Sequence, residues 1–441
     1  MRRRNDIIME YGTYMLVYFM SYIASLAGFY YLAGVMLVLE AVYLYLHWVK
    51  ETQNLTELRG LFTLAWVGGQ GLACLKLSRL QKDWDYRTWA CFFLIYIGFG
   101  IGYEWGQKYD SDEKKELGKK PVLAERLLVC IIGLALTSMA CFLFEAAKLK
   151  FIPLFSKEPH AYSYFHVSGV HYFTVSCILI PAITVLYMKV SDGLGKKEKA
   201  ALIAANVTAV VIPVLCVSRF QLLFAVGFAV VTYIMVYQGV RLRTLAGIGA
   251  ALIPIYVILT MFRHHDIAYL NGIFEMKYEK MPIFITQPYI YVANNFENFN
   301  CMVEQLTKHT YGVRMLFPFF ALTGLKFVFP KLTASVVYLT KPELTTLTMF
   351  YDAYYDFGMP GVFLFAALVG AAAKWVMQLV KKSENPVVYL FYGQLAIYLG
   401  LAFFTTWFSN PTTWFWLILT GMMYLYVGYD RDKRGNVQRD E

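Results

Sequence analysis

Apolar runs of roughly 17–25 residues recur along the chain, separated by short polar joints. The pattern breaks once, over residues 262–357. Each run is long enough to cross a hydrocarbon core of about 30 Å as a helix. The alternating ten-residue segments of a membrane barrel are absent. The pattern predicts an all-α, polytopic membrane helix bundle of about twelve transmembrane helices. They fall near residues 11–28, 30–48, 60–77, 88–104, 123–146, 166–188, 200–217, 220–239, 245–261, 358–380, 386–407 and 412–428. The first apolar stretch, Tyr11 to Val49, is too long for one helix and reads as two, turning near Gly28 to Gly34. The expected organisation is helices one to nine over residues 1–261, a long loop over 262–357, helices ten to twelve over 358–429 and a tail over 430–441.

The long loop has a pattern of its own. Val292, Phe296, Phe299, Val303 and Leu306 are spaced four, three, four and three apart, which makes one apolar stripe with Asn, Glu and Gln opposite. An amphipathic helix is expected over 292–308, lying along the outer surface or covering a cavity, with packing against its own loop as the alternative. The loop is rich in Phe, Tyr, Leu and Val, which is not the composition of a disordered segment.

Composition agrees with a membrane chain: 58% hydrophobic, 16% charged, mean hydropathy +0.48. Most of the 40 Lys and Arg fall in MRRR, KETQNLTELR, GQKYDSDEKKELGKK, KVSDGLGKKEK, RLR, KKSEN and DRDKRGNVQRDE. With these joints inside, both termini are cytoplasmic and 262–357 lies outside. The net charge of +10 then reflects orientation and contact with anionic membrane lipids, with no nucleic acid implied. MRRR followed by a long apolar stretch reads as an uncleaved start. The seven cysteines show no CxxC spacing and imply neither a disulfide framework nor a zinc site; no metal and no cofactor are expected.

Ionisable residues within spans are few: Glu40, with Glu10 and Glu145 nearer span ends. The outer side is richer. Six of seven histidines fall there (His160, His166, His171, His264, His265, His309), with Arg219, Arg263, Arg314, Asp266, Asp352 and Asp356. In CVSRFQ, Arg219 stands in a tight outer turn, against the inside bias of basic residues; it is either a snorkelling anchor or a fork for phosphate. In TYGVRMLFP, Arg314 is a second candidate anion ligand. RHHD, residues 263–266, carries Arg263, and its adjacent histidines point apart on a helix, which is poor metal-site spacing.

In TMFYDAYYDFGMPG, residues 348–361, Asp352 and Asp356 share a helical face, where like charges repel. Such repulsion suits a proton acceptor. Asp356 also fits the N-cap of the following span. Tyr351, Tyr354 and Tyr355, with Tyr291 earlier in the loop, offer flat faces with polar tips that suit sugar rings or a membrane-interface belt.

FIPLFS (151–156), HVSGVHY (166–172), the SRF turn (218–220), PYIYVANNFENF (288–299), TMFYDAYYDFGMPG and WFSNP (407–411) occur in an order that resembles bacterial oligosaccharide repeat-unit polymerases, the O-antigen or capsule polymerases of the Wzy type. The resemblance implies a multi-pass enzyme of the bacterial cytoplasmic membrane. Such an enzyme moves a growing glycan from its undecaprenyl-pyrophosphate carrier onto a newly flipped lipid-linked repeat unit, making surface polysaccharide. It would work with a flippase and a chain-length regulator. In that mechanism Arg219, Arg314 and Arg263 would hold pyrophosphate, Asp352, Asp356 or His309 would take the acceptor's proton, and Tyr351, Tyr354, Tyr355 and Tyr291 would contact sugar. A ligase-like glycan transferase and a transporter of lipid-linked sugars are the rival expectations.

Overall fold

The computed structural model describes residues 4–105, 117–158, 161–239, 243, 247, 250, 267–278, 280–333 and 336–429. Regular structure among them is helical, with one isolated antiparallel bridge between Ser78 and Met276. Counting helices of eight residues or more, these are α1 (Arg4–Leu26), α2 (Tyr30–Thr52), α3 (Leu58–Cys74), α4 (Tyr86–Trp105), α5 (Pro121–Leu149), α6 (Val170–Val190), α7 (Lys196–Leu215), α8 (Arg219–Tyr237), α9 (Ile267–Phe274), α10 (Ile283–Gln305), α11 (Tyr351–Lys382), α12 (Val388–Gly400) and α13 (Pro411–Gly428). Six of them, α2, α5, α6, α7, α8 and α11, are long and apolar enough to cross a membrane. Apart from positions 247 and 250, the span expected at 245–261 lies outside the described residues, as does the RHHD stretch with Arg263.

Local chemistry explains the helix ends. Glu57 accepts the Gly60 amide at 2.5 Å and starts α3. Pro121, with no N–H to lose, stands in the first turn of α5, and Lys150 closes that helix in the left-handed region. Pro181 cannot donate to the carbonyl four residues back, and α6 tightens to 3-10 geometry over Val175–Leu179 just before it.

The chain forms two compact units. The first draws on Met1–Asp110, His265–Trp375 and Leu395–Trp414; the second on Ser111–His264, Val376–Gln394 and Phe415–Glu441.

In the first unit, α10 packs on α3 and α4 through its apolar stripe. Phe296 stands 5.3 Å from both Trp66 and Phe92, ring centre to ring centre, and Phe92 meets Trp66 edge-on at 5.6 Å. Gly69 permits the approach: a Cβ there would lie 2.8 Å from the Phe296 ring. Burying a ring of this size is worth roughly 2–3 kcal/mol.

The polar side of α10 corrects the surface-helix expectation. It is buried, and it clamps the loop and two neighbouring segments. Asn295 donates to Phe403 O at 2.7 Å and accepts from Thr346 Oγ1 at 2.6 Å. Asn298 donates to Leu344 O and accepts from the Thr340 amide, both at 2.8 Å. Asn300 accepts from the Asp85 amide and from Thr88 Oγ1, and Glu297 accepts from Trp84 Nε1 at 2.6 Å. Loop backbone with no strand or helix of its own must still satisfy its polar groups, and these side chains do it. The helix also begins nine residues earlier than expected, running through Pro288.

At the other end of α3, the buried Arg59 pairs with Glu10 and Glu104 and lies over Trp48 at 4.7 Å. Glu10 is therefore a fixed counter-ion to Arg59. Farther along, α4 and α11 meet through small residues: a Cβ at Gly370 would lie 2.0 Å from Phe99 O. That closeness is the small-residue contact by which membrane helices bring their backbones together.

In the second unit, α5 through α8 alternate in direction. Ser138 of α5 donates to Phe173 O of α6 at 2.8 Å, and the Lys120 amide at the start of α5 donates to Val190 O at the end of α6 at 2.8 Å. The C-terminal turn of α5 thus shares an end with the first turn of α6.

Candidate functional site

The segment that opens α11 is where the first unit gathers its polar side chains. The helix is interrupted at Gly358, with φ 64° and ψ −150°, a conformation reached essentially only by glycine. A Cβ there would also meet His309 Nε2 at 3.1 Å. The turn Tyr351–Phe357 is therefore set at an angle to the apolar helix that follows, and the segment 309–316 folds against it.

Asp356 is fully buried and holds that segment. It accepts from the Met315 amide at 2.8 Å, from the Arg314 amide at 3.3 Å and from the Thr310 hydroxyl, and its own carbonyl accepts from the Tyr311 amide. Its role is to cap a turn of the loop, not the span ahead of it. Asp352, four residues earlier, faces Arg314 instead and pairs with its Nε. The two carboxylates each have their own donors, which removes the repulsion expected from their spacing.

Arg314 also donates from Nη1 to Val336 O at 2.9 Å, and its guanidinium lies 4.5 Å from the centre of the Tyr355 ring, with the Tyr355 hydroxyl in reach. Burial alone would make this guanidinium easier to deprotonate, but the Asp352 carboxylate outweighs that and pushes its pKa up. Three of its five N–H groups are thereby used, and two remain for an anion among the described residues.

The tyrosines are less open than sequence suggests. Tyr351 is fully buried, and its hydroxyl accepts from the Tyr338 amide and donates to the Tyr338 carbonyl. Tyr354 packs on Phe299 and His309, and Tyr355 lies between Arg314 and Tyr338. Tyr291 stands eight residues before Phe299 on α10, roughly 12 Å along the axis, beside Phe404. It does not join the cluster. His309 is half-buried, its Nδ1 3.2 Å from Tyr355 O. The structure thus brings Arg314, Asp352, Asp356, His309, Tyr351, Tyr354 and Tyr355 together.

The second unit holds Arg219. It is the first residue of α8, only 2% exposed, after a turn in which Val217 adopts φ 52° and the Ser218 amide donates to Pro213 O at 2.9 Å. Leu154 of the FIPLFS segment, with Tyr162 just after it, packs on this turn against Val217 and Leu222. Burial of the guanidinium departs from a simple snorkelling anchor, whose head would stand in water.

No family model, curated protein or solved structure matches this chain.

At the same end of the second unit, sequence reasoning named Glu145 and His171 but did not join them. Glu145 is fully buried near the end of α5. It accepts from the Val167 amide at 2.7 Å, from Thr174 Oγ1 at 2.7 Å and from His171 Nδ1 at 3.1 Å. The available signal was a carboxylate in the last turns of one helix and a histidine in the first turn of the next, which a helical hairpin brings together. The opposite end of this unit holds an open cavity of about 760 Å³ lined by Lys119, Lys120, Arg126, Glu384 and Asn385 with Tyr424 and Tyr429. Among the described residues no cluster of three or more His, Cys, Asp or Glu is arranged to hold a metal ion.

Proposed function

We propose that this protein is a membrane glycosyltransferase that polymerises undecaprenyl-pyrophosphate-linked oligosaccharide repeat units at the outer face of the bacterial cytoplasmic membrane. The observation that carries the reading is Arg314: a guanidinium held charged by Asp352, seated on Tyr355 at the head of a long apolar helix, with N–H groups to spare. Such a group meets the needs of a lipid pyrophosphate, whose isoprenoid lies along apolar helices while its charged head requires a fixed cation. Negative charge grows on the pyrophosphate as the glycosyl bond breaks, and a preorganised cation lowers that barrier without metal. Arg219 supports the reading as a second guanidinium kept in a buried turn. Asp352 then acts through Arg314, by fixing its plane, and the Asp356 turn fixes its backbone.

The test is deletion of the gene, with the chain restored as wild type or as Arg314→Ala or Arg219→Ala. Deletion should end polymer formation and leave single lipid-linked repeat units accumulating on the outer leaflet. Either arginine variant should reach the membrane yet cut polymer at least about 100-fold, the scale of losing one charge-stabilising group. Units trapped on the inner leaflet would point to a transporter, and full-length polymer stranded on its lipid carrier would point to a ligase. Polymer of normal amount and length in the deletion would overturn the proposal.

A further inference from the structure

The pair Glu145–His171 is built like an oriented base. Three donors converge on one buried carboxylate, so Glu145 receives hydrogen bonds and the imidazole Nδ1 supplies a proton to it. The neutral ring therefore presents its lone pair at Nε2, which makes no hydrogen bond among the described residues. The His171 side chain is 27% exposed while Glu145 is fully covered, so the ring opens outward from a closed support. His171 is fixed at its backbone as well, its amide donating to Val167 O at 3.0 Å, and the same Val167 gives its own amide to Glu145. One carboxylate thus locks both the loop before α6 and the ring on its first turn.

The surroundings favour proton transfer. His166 stands 6.3 Å away, ring centre to ring centre, and is exposed. Cys141 of α5 and Cys216, at the end of α7, are also within electrostatic range of Glu145. Cys216 lies three residues before Arg219, in the turn on which the FIPLFS segment packs. The dyad and the buried guanidinium thus occupy one end of one unit.

We propose that His171 is the catalytic base of the transfer reaction and Glu145 its positioning residue, an inference that rests on the glycosyltransferase reading above. In the step, the acceptor hydroxyl gives its proton to His171 Nε2. Its oxygen pair forms the new bond to the donor's anomeric carbon, and the carbon–oxygen bond to pyrophosphate breaks with its electrons leaving on the lipid carrier. The imidazolium, steadied by Glu145, returns its proton to water or the departing pyrophosphate. Asp352 is held in its ion pair and Asp356 in its turn, which leaves neither in position for this work. His309 rests its Nδ1 on a neutral carbonyl, and a carbonyl steadies an imidazolium less than a carboxylate does.

The experiment uses full-length protein in nanodiscs and, as probe, the lipid-linked oligosaccharide extracted from cells lacking the gene. His171→Gln should lower turnover at least about 100-fold with KM for the probe little changed. Glu145→Gln keeps an acceptor for the Val167 amide but removes the charge; turnover should fall about tenfold, and the acid limb of the pH–rate profile should move to lower pH. Wild-type turnover in His171→Gln, with Arg219→Ala inactive beside it, overturns the dyad and leaves the polymerase reading standing. Failure of the wild-type protein to extend the probe overturns both. Should His171→Gln fail to reach the membrane, Glu145→Gln decides: an unmoved acid limb at unchanged turnover rejects the proposal.

Discussion

At the scale of single residues, the two aspartates four apart in YDAYYD have different work although helical spacing puts them on one face. Asp352 meets a guanidinium from residue 314, and Asp356 meets the amides of residues 314 and 315. Neither partner is local, so the spacing announced a repulsion that folding removes. The difference predicts two separable phenotypes. Asp352→Asn keeps the shape and the contact to Arg314 but leaves the guanidinium without its counter-charge, so turnover should fall more than stability. Asp356→Asn puts an N–H group where three donors now converge and should cost about 1–3 kcal/mol, the penalty for unsatisfied buried polar groups. Thermal unfolding of both variants in nanodiscs, read beside polymer formation in cells, checks this. Equal loss of stability in the two would mean that Asp356 is not the support described for the Arg314 turn.

At the scale of elements, hydropathy located most helices to within a few residues, because an apolar helix is announced by the length of its own run. The expected 60–77 and 123–146 are Leu58–Cys74 and Pro121–Leu149. The helix of α10 was legible but not the burial of its polar side, whose asparagines look like a wet face until residues 340–346 fold over them. The same limit hid Glu145–His171, since a pairing across 26 residues leaves no local periodicity. α10 yields a measurable consequence at Glu297. Burial pushes its carboxyl up to about 8 from 4.5, although hydrogen bonds from Trp84 and the Lys82 amide and the charge of Lys76 work against the rise. The folded chain therefore keeps this proton where the unfolded chain has lost it. Stability from this group is complete below about 4.5 and declines as pH rises through 8, by on the order of 5 kcal/mol. Glu297→Gln, which retains an acceptor for Trp84, should flatten that decline and be the more stable protein at pH 9. Melting temperatures of both proteins between pH 5 and 9 decide it, and parallel curves would place the ionised carboxylate comfortably in its site.

At the scale of the whole molecule, each unit separates its own charges by end. In the second unit, Lys119, Lys120 and Arg126 surround the start of α5, while Glu145, His171 and Arg219 stand at the other end of the same helices. In the first, Arg59 with Glu104 marks one end of α3 and α4, and Lys76 with Asp83 follows the other end of α3. The basic joint after α6, SDGLGKKEK, continues from the Lys120 end of its unit, and the inside bias of basic residues predicts that this loop faces the cytosol. The segment just after α10 continues toward His309 and Arg314 and should face the exterior, where the proposed substrate arrives. In a variant with its cysteines replaced, Lys308→Cys should react with a membrane-impermeant maleimide on intact cells, and Lys197→Cys only after the membrane is opened. Both positions are exposed, so folding does not shield either from the reagent. Labelling of Lys308→Cys only in opened cells would put Arg314 in the cytosol, and labelling of Lys197→Cys on intact cells would put the His171 end of its own unit there, away from flipped lipid-linked units. A transferase working on the outer leaflet could not then be drawn from this structure.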